Sequence, residues 1–588
     1  MMKLSYLLLV LVAVFFSCSS PKETSQSTIT NPGNEPQWWK EAVIYQIYPR
    51  SFKDSDGDGV GDLRGIINKL DYIKSLGVNM VWINPIYASP NADNGYDISD
   101  YRAIQREFGT NEDFDELLKG LHDRDIKFVM DLVVNHSSDE HEWFKQSRSS
   151  RDNPYRDYYH WWPAEKGKPN YRWSFFDPKG EAWKYDSLTD AYYLHYFAQK
   201  QPDLNWENPK VRQEVYDIMK YWADKGVDGF RLDAFQFISK DLDFPPLPDG
   251  YEKEVIKYYG MGPKIHPYIK EMYDQVLSKY DVFAVSEGAG SSFEDAHALV
   301  DKDRNELQMA YHFEAGDMVR DLSGYTLETF KEVHSRWDSA FAEKGWLSVF
   351  LANHDKARMV NRFGNPSPQF RAPSTKMLNT FILSMRGTPY CYYGDELGMT
   401  NINFDSIEQY QDIAAINGYE KVKSEGGDLD QYMAELKFLS RDNGRTPMQW
   451  DDTENAGFTT GNPWLPVNSN YREINVEVQQ NESNSCLSHF KEMIDLRLKT
   501  PALIYGAYEM VEPNHETVYA YTRSYNDQQY LVVLNFSDQT SSIDLSNFDL
   551  SDVSINNYQV LNKEGSTLNL EPYQAVIFKT KQLNILTN

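Results

Sequence analysis

Val43-Ile44-Tyr45-Gln46-Ile47-Tyr48, then Leu63, Ile66, Ile67, Leu70, Ile73 and Leu76, then Gly77, then Met80-Val81-Trp82-Ile83-Asn84: residues 43–84 hold the unit from which the fold can be read. The first apolar run has the length and continuity of a buried strand. The six aliphatic residues that follow fall at offsets 0, 3, 4, 7, 10 and 13, the stripe of an amphipathic helix lying on a sheet, and Gly77 stands where a helix C-cap belongs. The second apolar run opens another strand. Strand, covering helix and strand make a parallel βα unit. The alternation continues at Phe128 to Val134, Gly229 to Phe235, Val282 to Val285, Leu347 to Leu351 and Pro389 to Tyr393, and a weaker run at Met309 to Phe313 brings the strands to eight. Before the third strand, Thr110-Asn111-Glu112-Asp113 is a capping-box pattern opening a helix with Phe114, Leu117, Leu118 and Leu121 on one face. Eight such units predict a closed (β/α)8 barrel.

Outward from the barrel, two stretches break the rhythm. Residues 137–205, dense in Trp, Tyr, Asp and Pro, follow the third strand, and about 400–464 follow the last. The barrel is therefore expected in two parts, 37–136 and 206–501, with 137–205 as an inserted domain. From about Ala502 the helical period disappears and alternating segments such as Val518 to Thr522, Tyr530 to Phe536 and Ala575 to Lys579 predict an all-β domain over 502–588. At the other end, Lys3, an apolar run from Leu7 to Phe16 and Ser17-Cys18-Ser19-Ser20 read as a secretion signal over 1–17. The segment resembles a bacterial lipoprotein processing site, with Cys18 as the lipidated residue and 18–36 as a flexible tether, which implies the periplasm or the outer membrane surface. Cys391 and Cys486 remain, in apolar surroundings that predict buried free thiols.

Composition excludes several function classes. With 59 Lys and Arg against 87 Asp and Glu, the chain carries a net charge of −28, which disfavours nucleic acid and anionic lipid and leaves neutral ligands as the suited partners. Apolar residues at 41% and charged residues at 25% are the values of a folded domain with a sizeable core.

The chemistry is written at strand ends. In Gly229-Phe230-Arg231-Leu232-Asp233-Ala234, Arg231 and Asp233 stand two apart in an apolar strand and so share a face. An adjacent cation is expected to lower the Asp233 pKa and keep it ionised, as a nucleophile must be. Glu287 ends the run before Gly288, and Asp355 ends Leu351-Ala352-Asn353-His354-Asp355. One such acid alone reads as an ion-pair partner; three at successive strand ends meet the needs of retaining glycoside hydrolysis, where one carboxylate attacks the anomeric carbon and another protonates the departing oxygen. Glu287, with no adjacent base, suits the acid. Asp355 could grip sugar hydroxyls and help keep Glu287 protonated.

Together with Asp131-Leu132-Val133-Val134-Asn135-His136 and Gln201-Pro202-Asp203-Leu204-Asn205, these segments resemble the α-amylase family, glycoside hydrolase family 13, and within it the α-glucosidase and oligo-1,6-glucosidase group, from about Trp38 to the C-terminus. The resemblance implies a (β/α)8 TIM barrel, an inserted B domain and a C-terminal β-sandwich. It implies Asp233 as nucleophile, Glu287 as acid/base and Asp355 as transition-state stabiliser, with His136, Arg231 and His354 around the cleaved sugar. Asp93 and Tyr96 match the family loop that holds a terminal glucose, and Arg441 matches the residue facing that Asp, so a closed pocket and exo action are expected. Ala234, in a position where Val accompanies α-1,6 preference in this group, predicts an exo-acting α-1,4-glucosidase on malto-oligosaccharides. The alternatives are α-1,6 cleavage, a sucrose- or trehalose-type isomerase or transglycosidase, and a non-catalytic binding protein. Asp54-Ser55-Asp56-Gly57-Asp58-Gly59-Val60-Gly61-Asp62 spaces acids at every second position but has Gly65 where an EF-hand needs Glu. It resembles the group's own calcium loop, which implies a structural Ca2+ on Asp54, Asp56, Asp58, the Val60 carbonyl and Asp62. No organic cofactor is expected.

Overall fold

A computed structural model describes residues 35–581; the expected signal peptide, Cys18 and nearly all of the tether lie outside the described residues. The apolar runs form eight strands: β1 (Ile44–Ile47), β2 (Met80–Ile83), β3 (Lys127–Val133), β4 (Gly229–Asp233), β5 (Phe283–Ser286), β6 (Met309–Ala310), β7 (Ser348–Val349) and β8 (Thr388–Tyr392). They pair in parallel in the order β6-β5-β4-β3-β2-β1-β8-β7, and a parallel bridge between Ala310 and Leu347 joins the two ends into a barrel. Register sets Asp131 of β3 beside Arg231 of β4, and Val133 beside Asp233. Two charged residues thus meet on neighbouring strands of an otherwise apolar wall.

The stripe after β1 folds as two short helices, Leu63–Ile67 and Leu70–Ser75, where the periodicity predicts one. The break has a local cause: the Asn68 N–H is shared between the carbonyls of Arg64 and Ile66, tightening the turn, and Lys69 leaves helical geometry. Leu63, Ile66, Leu70, Ile73 and Leu76 are nevertheless all buried, so packing on the sheet survives the break. Gly77 takes φ +87, which an L side chain would resist. Thr110 and Asp113 form the expected capping box at the head of the helix Asn111–His122.

The insertion after β3 carries a three-stranded antiparallel sheet with Ala191–Leu194 between Trp161–Pro163 and Trp183–Asp186. It rejoins the barrel through an antiparallel bridge from His136 to Asp203. Residues after β8 contribute the helices Ile413–Ser424 and Leu429–Leu439 above the same barrel end. The C-terminal domain stacks a five-stranded sheet on a three-stranded one around Val518, Leu531, Val533, Leu568, Val576 and Phe578. Cys391 and Cys486 are buried free thiols.

Candidate active site

The C-terminal ends of β3, β4 and β5 each deliver one carboxylate to a single guanidinium. Arg231 is 1% exposed; its Nη1 lies 3.1 Å from Asp131 Oδ1 and 2.5 Å from Asp233 Oδ1, and its Nη2 lies 2.6 Å from Glu287 Oε1. The second Glu287 oxygen accepts the Ala234 N–H at 2.7 Å. That N–H is free to point there because β4 ends in a left-handed residue, Ala234 at φ 48.

Around Asp355 the charges reverse. Arg441 Nη1 and Arg445 Nη2 donate to Asp355 Oδ1 at 3.0 and 3.2 Å, and His354 Nε2 lies 3.2 Å from Oδ2. The Gln46 amide lies 2.9 Å from His354 Nδ1 and bonds Asn84, so Nδ1 accepts and Nε2 carries the proton. Asn84 and His354 meet the Tyr96 hydroxyl at 2.8 and 2.7 Å, and Tyr96 donates to Asp131 Oδ2 at 3.0 Å. The ring of Tyr96 stacks on His354 with centroids 5.3 Å apart. One hydrogen-bonded chain therefore links the wall of β1 and β2 to the carboxylates of β3 and β7.

Asp93 and Arg441 do approach, at 3.6 Å, but they are not each other's main partners. Arg441 grips Asp412 with both Nε, at 3.0 Å, and Nη2, while Asp93 Oδ2 accepts from Gln201 at 3.1 Å. Gln201 also reaches His136 Nε2 at 3.2 Å, and that same nitrogen lies 3.1 Å from the Tyr96 carbonyl. Phe176 of the insertion lies under the Arg441 guanidinium at 4.9 Å, and Asn417 bonds the Phe176 carbonyl at 2.7 Å. Both insertions thus meet over the barrel mouth. All nine expected catalytic and sugar-site residues come together here. Asp131, Gln201, Asp412 and Arg445 belong with them: Asp131 and Gln201 open the two quoted motif segments without a site role assigned, Arg445 could have been found at i+4 from Arg441, and nothing in the insertion's sequence marks Asp412.

Electrostatics correct one expectation. Burial and the neighbouring Glu287 carboxylate push Asp233 well above the usual carboxylate range, against the pull of Arg231. The guanidinium that was expected to keep Asp233 ionised is shared among three acids. Burial likewise raises Asp131 to about 6 and Asp93 to about 7, the latter opposed by Arg441. Asp355 goes the other way: burial would raise it, but His354, Arg441, Arg445 and Arg231 together hold it well below the ordinary range. Its charge is committed to those arginines, while the acid coupled to Glu287 is Asp233. Burial lowers His136 to about 3 and takes His354 well below its usual value, leaving both neutral. With Asp131 and Asp233 both raised, the carboxylates around this single guanidinium compete for its charge.

The acidic loop lies on the flank of the barrel. Carboxylate oxygens of Asp54, Asp56 and Asp58 lie within 4.8 Å of one another, Asp54 buried and the others exposed. Burial and its acidic neighbours raise the Asp58 pKa, the crowding that a hard divalent cation relieves, while both Asp54 oxygens already accept hydrogen bonds from the loop, from Asp56, Gly57 and Gly59 N–H and from Thr459. Asp62 stands apart: it accepts Ser55 N and Oγ at 2.7 and 2.9 Å and Gly65 N at 2.6 Å, capping the helix Leu63–Ile67. The loop is pressed against residues 458–464. Gly59, at φ +95, leaves no room for a Cβ, which would lie 1.7 Å from the Asn462 carbonyl oxygen.

A parallel barrel whose strand ends gather two acids on one guanidinium and a third, arginine-bound acid at the same end is the constellation of a glycosidase. Residues 46–506 match the alpha-amylase catalytic domain and residues 508–577 the maltogenic amylase C-terminal domain. The chain is 48% identical to the oligo-1,6-glucosidase of Bacillus cereus over 93% of its length and 100% of the relative, and 48% identical to that of Parageobacillus thermoglucosidasius over the same shares. The isomaltulose synthase of Klebsiella sp. LX3 superposes with a TM-score of 0.90 at 46% identity, covering 93% of this chain and 100% of that one. The chain belongs to the α-amylase family, glycoside hydrolase family 13, and is a retaining glycoside hydrolase.

These relatives overturn the α-1,4 preference expected from Ala234, since those so similar in sequence are oligo-1,6-glucosidases. The structure supplies the reason. Ala234 is 3% exposed and packs in an aromatic cluster with Tyr196, Phe237, Phe244 and Tyr259. A side chain so enclosed is a poor gauge of which linkage fits the pocket.

Proposed function

We propose that the protein is an exo-acting oligo-1,6-glucosidase, releasing glucose from the non-reducing ends of short α-1,6-linked glucose oligosaccharides. Exo action is supported by the wall built by Arg441, Asp412, Asp93 and Gln201 beside Asp355, which would close the pocket behind a terminal glucose. In this reading Asp233 attacks C1 while Glu287 passes its proton to the glycosidic oxygen, so the C1–O bond breaks and a β-glucosyl ester forms on Asp233. Glu287, now a carboxylate, takes a proton from water, whose oxygen attacks C1 and frees Asp233 and α-glucose. Arg231 spreads its charge over both acids throughout. Asp355 accepts hydroxyl hydrogen bonds that strengthen as the ring flattens, and neutral His136 and His354, with Tyr96 and Asp93, orient the sugar.

Time-resolved NMR with isomaltose, isomaltotriose and maltotriose tests this: early α-glucose, faster from the α-1,6 sugars, is expected, with Asp233→Asn silent. Preference for maltotriose would overturn the linkage. A second reading, sucrose isomerisation, is supported by the likeness to isomaltulose synthase; a sucrose arm that yields a new α-1,6 linkage in place of glucose and fructose would establish it.

Beyond the reaction, we propose a structural Ca2+ on Asp54, Asp56, Asp58 and the Val60 carbonyl, riveting the first barrel loop to residues 458–464. Lipidation at Cys18, with the enzyme held in the periplasm or on the outer membrane surface, rests on residues 1–20 of the sequence; mass spectrometry of the membrane-extracted protein tests it, and an unmodified Cys18 would remove the anchor.

A further inference from the structure

At the barrel end opposite the catalytic acids, a cavity of about 750 Å³ opens at the N-terminal ends of β5, β6 and β7. Its walls include Trp38 and Trp39 from the segment entering β1, and Tyr273 and Tyr280 from the segment entering β5. Trp38 is half-buried and held in place: its Nε1 donates to Asp281 Oδ1 at 3.3 Å, its ring stands perpendicular to that of Phe283 with centroids 5.6 Å apart, and Lys127 Nζ lies over it 4.5 Å from the centroid. The Lys127 ammonium takes one face of this ring, so stacking on Trp38 is confined to the other.

The charges around the cavity balance. Lys302 pairs with Glu35, Lys344 with Asp301 at 2.7 Å, and Glu306 with Arg304 and His266, both at 2.8 Å. An anion would meet no basic excess there and would face the field of a chain of net charge −28. A purely apolar ligand would strip water from paired carboxylates and ammonium groups. A ligand with flat apolar faces and a rim of hydroxyls matches both features, since C–H faces lie on the rings while hydroxyls bond Asp281, Asp303 and the Gln308 amide. The volume falls in the range of about 300–1,000 Å³ for sites that enclose small ligands.

We infer that this cavity is a second, non-catalytic binding site for a short neutral glucose oligosaccharide. Lying at the far end of the barrel, it is no extension of the catalytic pocket and would instead hold the enzyme on its substrate. The inference shares its ligand class with the proposed function, and a binding readout separates the two: failure to cleave α-1,6 sugars does not affect a count of sites.

The test uses the full chain carrying Asp233→Asn, titrated with isomaltotriose and separately maltotriose to about 20 mM, beyond millimolar affinity, followed by calorimetry and saturation-transfer NMR. Two binding events are expected in this parent. Trp38→Ala is expected to abolish one and to leave kcat on isomaltose unchanged in the otherwise wild-type enzyme. Tyr280→Leu, milder for folding, is expected to weaken the same event about tenfold. A single event in the parent, or two events retained in both variants, would overturn the inference.

Discussion

Lys240 offers the sharpest test of how the site is held together. It follows β4 and is buried, its ammonium donating to Asn135 Oδ1 at 3.0 Å and the Phe237 carbonyl at 2.8 Å and pairing with Asp203 Oδ2 at 3.1 Å. Asn135 precedes His136 at the end of β3, and Asp203 lies two residues past Gln201, so one ammonium fastens the insertion's return to the barrel beneath the sugar pocket. Burial pulls Lys240 down and pushes Asp203 up, each offsetting the other, and the 3.1 Å pair with its two further acceptors favours the charged state. Lys240→Met keeps the stem and leaves the Asp203 carboxylate, fully enclosed, without its cation, a loss of about 3–5 kcal/mol. The orphaned acid has a folded pKa raised above its unfolded value. The loss is therefore small near pH 4 and grows as pH rises. Thermal unfolding at pH 5 and pH 8, with kcat/KM on isomaltose, reads both effects. Lys240→Met/Asp203→Leu should recover most of the stability, because a buried pair replaced by apolar groups leaves no charge stranded. A single variant that melts with the wild type at pH 8, or a double variant no better than the single, would refute the reasoning.

Other perturbations follow from the same geometry. Asp233→Asn should lower kcat by at least about 10³-fold with the melting temperature unchanged or raised, since it removes a reacting group and one buried charge together; retained turnover would exclude it as nucleophile. Glu287→Gln should lose about 10²–10⁴-fold on isomaltose and less on an aryl glucoside whose leaving group needs no proton, and equal losses would argue against the acid role. Arg441→Lys forfeits the two-point grip on Asp412 and should raise KM about tenfold with a smaller change in kcat; an unchanged KM would detach Arg441 from sugar binding. Asp93, raised to about 7 by burial, weakens the empty enzyme at high pH, so Asp93→Asn should stabilise it at pH 8, with the gain fading towards pH 5, while KM rises. A chelator should lower the melting temperature, restored by Ca2+ and not in Asp56→Ala/Asp58→Ala, with ligand at 100 times Kd contributing about 2.7 kcal/mol.

What was legible in the sequence, and what was not, divides along one physical line. Parallel barrel strands are buried on both faces and therefore read as unbroken apolar runs, so even the two-residue strands Met309–Ala310 and Ser348–Val349 could be found. Asp233, Glu287 and Asp355 stood out because a carboxylate ending such a run is an anomaly. Asp412 is no anomaly in a segment crowded with acids, and only the fold shows that Arg441 turns towards it. The misjudged direction of the Asp233 shift has the same origin. Along β4 the chain displays one cation beside one acid, whereas the competing carboxylates arrive from β3 and β5, across the sheet. Ala234 misled for the reciprocal reason: it belongs to a buried cluster whose rings come from residues 182–197 and 237–259, and no local reading reveals that company. Motifs disclose which groups a strand end presents; how many of them must share one guanidinium decides their charge, and that count exists only once the strands are side by side.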